Sequence, residues 1–256
     1  MTRTKKVISG LLTLFLSLLI LLSNSSRVTN GESTYWPTDE WQTVKPRQQD
    51  MDNDLLEEMI EYIEGLSVTI DSVVVIRNGY IVQEGYFGLY EASWSHALWS
   101  VTKSFTCALI GAAIKEGFIP DVHQKVLDYF PDRNISNVDS RKEAMEIQHL
   151  LMMSTGLAYP GDDAIWSGWM NSDDQVQYIL DLPMIHDPGE IFNYDTGGTH
   201  LLSAIIQEAT GNTTKEFAEQ YLFGPLGITQ YHWEYDRIGV YYGGHGLFMI
   251  PQDIRN

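Results

Sequence analysis

An α/β arrangement joined to a mainly helical domain is the fold class this sequence predicts, from three observations. An amphipathic helical stretch is followed directly by a hairpin signal between residues 52 and 87. A nearly uncharged helical run, residues 96–114, carries one lysine. From residue 125 to 223, apolar residues recur at helical spacing in short segments punctuated by Gly and Pro. A helix beside a hairpin implies a sheet covered on one face. Two strands make no stable sheet alone, so more strands are expected than the hairpin supplies.

At 256 residues the chain can bury a sizeable core. Its 44% hydrophobic and 12% aromatic content is that of a globular protein. The 16 basic and 34 acidic residues give a net charge of −18, which repels phosphate backbones and anionic lipid surfaces. No nucleic-acid partner is expected. The single cysteine, Cys107, excludes an internal disulfide, and its helical position suggests packing.

In chain order, Met1 to Ser25 reads as an export signal or anchor: Arg3, Lys5 and Lys6 precede the apolar run Val7 to Leu22, and Ser23-Asn24-Ser25 offers a cleavage site. An extracytoplasmic location follows, secreted or periplasmic, with a retained membrane anchor as the alternative. Residues 26–50 are polar and carry no period, as a leader strap laid on the surface would be. Residues 51–95 form the N-terminal part of the α/β sheet domain: Leu55, Leu56, Met59, Ile60 and Ile63 make a helix stopped by Gly65. Ser72 to Arg77 and Tyr80 to Phe87 make a hairpin turning at Asn78-Gly79. Residues 96–256 are the mainly helical domain. Short segments are expected at Lys125 to Tyr129 and Ile147 to Met153, with a helix start after Asn171-Ser172-Asp173-Asp174. Thr199 to Ala209 is a helix stopped by Gly211, and Thr213 with Glu216 forms a capping box for the helix that runs to Phe223.

The chemistry concentrates in Ser100-Val101-Thr102-Lys103. Between Glu91 and Lys115 the only formal charge is Lys103. Val101, Phe105, Leu109 and Ala112 line one side of the helix and Cys107, Ile110 and Ile114 another, so the helix is expected to be buried on nearly every face. Desolvation and the positive end of the helix dipole both disfavour the ammonium there. Three residues apart, Ser100 and Lys103 share a face, and a hydroxyl beside a lysine inclined to be neutral is an activated nucleophile with its base.

With Phe192-Asn-Tyr-Asp-Thr-Gly-Gly-Thr-His-Leu-Leu202 added, the chain resembles the serine β-lactamase and penicillin-binding protein family, nearest its class C-like and esterase-like branch. The resemblance spans about residues 36–256 and includes His149-Leu-Leu-Met-Met-Ser-Thr-Gly156, Pro188-Gly-Glu-Ile-Phe-Asn-Tyr194 and Phe223-Gly-Pro-Leu-Gly-Ile228. It implies a β-lactamase/transpeptidase-like fold and a serine hydrolase that cleaves amides or esters through an acyl-enzyme. The catalytic residues it implies are Ser100, Lys103 and Tyr194, with Thr196 binding substrate. The alternatives are a peptidase acting on D-amino-acid peptides of cell walls and an inactive penicillin-binding-like protein. The expected partner is a small-molecule or peptide amide or ester, and no cofactor or metal is expected.

Two departures from the family pattern stand out. Thr196 replaces a residue that is Asn or Ser in the family. Its hydroxyl either fills part of that role or caps the helix beginning near Gly197. The family's third motif, Lys-Thr-Gly or His-x-Gly on an inner strand, is not found before Asn256. The sequence therefore reads as a fragment or truncated product, with the C-terminal strands of the sheet missing. Ser154-Thr155-Gly156 and Ser172-Asp173-Asp174 mimic family motifs but sit where a helix stop and a helix cap belong.

Overall fold

The computed structural model describes residues 41–158 and 163–254; residues 1–40, with the expected export signal and the start of the expected leader, lie outside the described residues. Helix α1 (Asn53–Glu64) starts at Asp52, whose carboxylate accepts from the N–H groups of Asp54 and Leu55 at 2.9 and 3.3 Å. These are donors that a helix start leaves without an internal partner. Strands β1 (Ser72–Arg77) and β2 (Tyr80–Tyr86) pair antiparallel. Asn78 and Gly79 turn between them with φ of 51° and 82°, the left-handed pair that a two-residue hairpin turn requires. Residues 42–44 run parallel to β2: Val44 N–H donates to the Ile81 carbonyl at 2.9 Å, and Ile81 N–H donates to Gln42 at 3.0 Å.

The rest is mainly helical: α2 (Thr102–Lys115), α3 (Ser140–Ala144), α4 (Ile147–Leu151), α5 (Asp163–Asn171), α6 (Gln175–Asp181), α7 (Thr196–Thr210) and α8 (Thr214–Ala218). Helix α7 is the hub. It packs against α2, α4, α6 and α8, and every residue from Thr196 to Ile206 is buried. Leu201, Leu202, Ile205 and Ile206 share one core with Leu109, Leu150, Ile179 and Phe217. Each such side chain contributes about 1.5–3 kcal/mol when fully buried. Gly211 ends α7 with φ of 71°, and the Thr213–Glu216 capping box opens α8, which continues as a π-helical turn to Phe223.

Two features depart from what the sequence announces. Strands β3 (His96–Ala97), β4 (Tyr231–Trp233) and β5 (Leu247–Met249) form a second antiparallel sheet in the order β3-β5-β4. The chain then enters α9 (Pro251–Ile254). Helix α2 is not buried all round: Lys103, Thr106, Leu109, Ile110 and Ala113 are buried, while Ser104, Ala108 and Gly111 face solvent. These three residues are small and uncharged, so that side offers little apolar bulk to bury although the sequence reads as apolar there. Among the described residues no helix is long and apolar enough to cross a membrane.

Candidate active site

Strand β3 leads into Leu98, whose N–H donates to the Leu247 carbonyl at 2.8 Å. One 3-10 turn, Trp99–Val101, then enters α2. Trp99 has φ of 45°, a left-handed conformation that costs a bulky residue about 1–3 kcal/mol and persists where the surroundings over-determine it. Pairing with β5 fixes the chain before Trp99, and α2 fixes it after. Ser100 is thereby set at the mouth of the helix, with Lys103 one turn further on.

The Lys103 ammonium lies 3.3 Å from Ser100 Oγ and donates to the Gly244 carbonyl at 2.7 Å. It sits 4.9 Å from the centre of the Tyr194 ring, and Ser100 and Lys103 both act on the Tyr194 phenol. The structure thus brings Ser100, Lys103 and Tyr194 together from α2 and the segment before α7. Lys103 is 6% exposed. Burial lowers its proton affinity, against the opposing pull of Tyr194 and Asp195. Burial raises the Tyr194 phenol, but Ser100 and Lys103 beside it, with the charge of Lys103, outweigh it and leave it lowered. A lysine pulled down and a phenol pulled down beside it titrate as a pair holding a mobile proton.

Asp195 caps α7, accepting from Gly198 N–H at 2.8 Å and Thr155 Oγ1 at 3.2 Å. It is 1% exposed, and burial pushes its carboxyl up to about 6 despite those bonds and the charge of Lys103. Thr196 is the buried first residue of α7. Its methyl group faces Gly244, where an added Cβ would lie 2.5 Å from Thr196 Cγ2. The bonds of Lys103 go to Ser100 and Gly244, not to Thr196.

Sequence reasoning missed Gly244, whose contribution is a backbone carbonyl and so has no side-chain signature. Its signal was the pair Gly243-Gly244: a Cβ on Gly243 would collide with the Thr199 carbonyl. Only a bare backbone lets this loop lie against α7 while Thr106 Oγ1 donates to the Gly243 carbonyl at 2.8 Å. Beside it, the His245 ring stacks 4.2 Å from Tyr242 and lies 6.2 Å from both Trp166 and Trp169. Burial, with His200 and Lys103 adding to it, pushes His245 down to about 4, so it is neutral at pH 7. Behind these rings His200 Nε2 meets Asp236 Oδ2 at 3.1 Å in full burial, and Asp236 Oδ1 accepts from Ile238 and Val240 N–H groups.

Of the two motif mimics, Ser154-Thr155-Gly156 follows α4 and supplies the Thr155 hydroxyl to Asp195. Asp174 caps α6 by accepting from Gln177 N–H at 2.8 Å. Among the described residues no group of three His, Cys, Asp or Glu side chains gathers to hold a metal. A cleft of about 450 Å³ lies elsewhere, lined by Ile63, Leu66, Val68, Phe87 and Leu89 among others, and includes none of the three site residues.

Comparison with known proteins gives a consistent picture. The sequence pattern of the family described as Beta-lactamase matches residues 54–249. Protein flp of Staphylococcus aureus (strain MW2) is 23% identical over 185 residues, covering 66% of this chain and 37% of that protein. The chain thus spans little more than a third of the length of this curated relative. Among solved structures, a putative 6-aminohexanoate-dimer hydrolase from Bacillus anthracis superposes with a TM-score of 0.64 at 24% identity, covering 78% of this chain and 55% of that one. A beta-lactamase/D-alanine carboxypeptidase from Pseudomonas syringae gives 0.61 at 18% identity, covering 79% and 63%. At these identities the structures share the fold, a β-lactamase/transpeptidase-like one.

Proposed function

The chain belongs to the beta-lactamase family, and on that footing we propose that it is a serine hydrolase cleaving amide or ester bonds through an acyl-enzyme on Ser100. The observation that carries this reading is a buried lysine 3.3 Å from Ser100 Oγ with the centre of the Tyr194 ring 4.9 Å from its ammonium. Ser100 Oγ attacks the carbonyl carbon as its proton passes to the Tyr194–Lys103 pair. The bond to the leaving oxygen or nitrogen breaks, and the leaving group takes that proton. Water then attacks the ester on Ser100, giving its proton to the same pair, which returns it to Ser100 as the acid departs. The N-terminus of α2 favours the negative charge that develops on the carbonyl oxygen. Gly244 holds the lysine in register throughout.

Labelling with a fluorophosphonate, located by peptide mass spectrometry, is expected at Ser100, and hydrolysis of p-nitrophenyl acetate is expected to vanish in Ser100→Ala. Equal rates for the two proteins would refute the assignment. One observation favours a second reading, a protein that binds such substrates without turning them over: Thr196 offers a methyl group toward Gly244 where the family carries Asn or Ser. That reading is met if Ser100 is labelled while no ester or amide is turned over.

The charged start and apolar run at residues 3–22 support an extracytoplasmic site of action, retained or released. N-terminal sequencing of the protein recovered from each cell fraction tests it.

A further inference from the structure

We propose that His245 is a positioning residue of the Ser100 site: its ring, clasped by Tyr242, Trp166 and Trp169, fixes the peptide that presents the Gly244 carbonyl to Lys103. As a statement about catalysis, this rests on the Ser100 reading. In the loop Gly243-Gly244-His245-Gly246, His245 carries the only side chain. Both ends of the loop are pinned on one residue: Tyr242 N–H donates to the Glu234 carbonyl at 3.0 Å, and Glu234 N–H donates to the Gly246 carbonyl at 2.9 Å. Between the pins lie glycines, which adopt many backbone conformations at similar cost. Thr106 Oγ1 holds the Gly243 carbonyl at 2.8 Å, one peptide earlier. The Gly244 carbonyl, which accepts from Lys103 at 2.7 Å, belongs to the same planar peptide unit as the His245 N–H. Whatever holds His245 therefore also turns that carbonyl.

The ring is the handle. It lies 4.2 Å from Tyr242 at an angle of 30°, and 6.2 Å from Trp169 and Trp166 at 75° and 53°. Offset and edge-on aromatic pairs of this kind attract and fix one another's orientation. The clasp has a firm back: His200 packs 5.5 Å from Tyr242 and 5.8 Å from Trp169, and is itself tied to buried Asp236 at 3.1 Å. His200 stands on α7 directly after Thr199, whose hydroxyl would lie 2.6 Å from a Cβ on Gly244. Clasp and loop thus share one floor. Charge agrees with this role. Burial, with His200 and Lys103 adding to it, keeps the His245 ring neutral at pH 7, so it stands near the ammonium without opposing it. Tyr194 and Asp195 are the other charged or titratable groups that act on Lys103.

The test compares the full chain with His245→Ala and His245→Phe by two measurements. The first is an NMR titration of lysine carrying ¹³C at Cε, with the Lys103 signal identified by its loss in Lys103→Arg. The second is the rate of fluorophosphonate labelling at Ser100, taken for each protein at the pH where it labels fastest. A carbonyl that accepts from an ammonium favours the charged form. Freeing it in His245→Ala is expected to lower the proton affinity of Lys103 about tenfold and to slow labelling by about tenfold or more. His245→Phe keeps a flat neutral ring and is expected to restore most of both. If His245→Ala does not fold, His245→Gln, which fills part of the space without a ring, carries the same expectations. A residue that merely packs would change urea unfolding and leave the Lys103 midpoint where it was. An unmoved midpoint in the variant lacking the ring, or a His245→Phe protein as impaired as that variant, would overturn the proposal. Should Ser100 of the native chain resist labelling while the midpoint shifts as expected, the nucleophile assignment falls and the placement of Lys103 by His245 stands. Labelling with an unmoved midpoint defeats this inference alone.

Discussion

Asparagine in place of Asp195 is expected to make the protein more stable at neutral pH than in its native form, with the advantage fading in acid. Asp195 is enclosed at the start of α7, and its folded carboxyl titrates near 6 against an ordinary value of 3.8. A carboxyl whose folded proton affinity is raised contributes its full stability below pH 3.8. It loses that contribution as pH climbs to about 6, because the unfolded chain ionises freely over that interval while the folded chain resists. At about 1.4 kcal/mol per tenfold change in proton affinity, the gap amounts to about 3 kcal/mol. Asparagine keeps the cap: its amide oxygen can accept from Gly198 N–H, and its NH₂ can donate to Thr155, whose hydroxyl simply turns. The assay is urea unfolding of both proteins at pH 4, 5, 6, 7 and 8. The difference in unfolding free energy, variant minus native, is expected to climb by about 2.4 kcal/mol between pH 4 and 7 and then level off. A pH-independent difference, or one that falls as pH rises, would refute the view that Asp195 ionises under strain.

Two further substitutions probe the support of the site. Gly244→Ala forces a methyl group against Thr196 and Thr199, an overpacking worth about 1–3 kcal/mol, and draws the carbonyl away from Lys103. Fluorophosphonate labelling of Ser100 is expected to slow at least tenfold in that variant while urea unfolding stays cooperative, and an unchanged rate would remove Gly244 from the machinery. Asp236→Ala leaves His200 Nε2 and the N–H groups of Ile238 and Val240 without their buried acceptor. At about 1–3 kcal/mol for each such group, a loss of 3 kcal/mol or more in urea unfolding is expected.

What could be read from the sequence was local. The α1 helix, its Asp52 start, the Asn78-Gly79 turn, Gly211 and the Thr213–Glu216 box are each settled within a few residues, by periodicity or by one side chain meeting one backbone N–H. The β3-β5-β4 sheet joins strands of two and three residues far apart in sequence, and no period exists at that length. Helix α5 was missed as well, because its Ile165, Trp166, Trp169 and Met170 follow a Gly-Asp-Asp stretch that reads as loop. In the site, the spacing of Ser100 and Lys103 revealed their contact, whereas Tyr194 came from family resemblance. The middle residue of the second motif, Asp195, passed as a spacer, since nothing in a lone aspartate announces that it will be enclosed. Trp99 likewise gave no sign of its left-handed backbone, a conformation that depends on strand pairing on one side and a helix on the other.

The bond between Lys103 and Gly244 joins residues 141 positions apart, and Leu98 and Leu247 are linked over a similar span. A ribosome adding about 5–20 residues per second delivers Gly244 roughly 7–28 s after Lys103. For that interval the nascent chain carries its serine and lysine without the carbonyl that fixes the amine or the strand that seats the turn. On the proposed reading of Ser100 as nucleophile, its reactivity is acquired late in biosynthesis, in the step that docks the Gly243–Met249 segment.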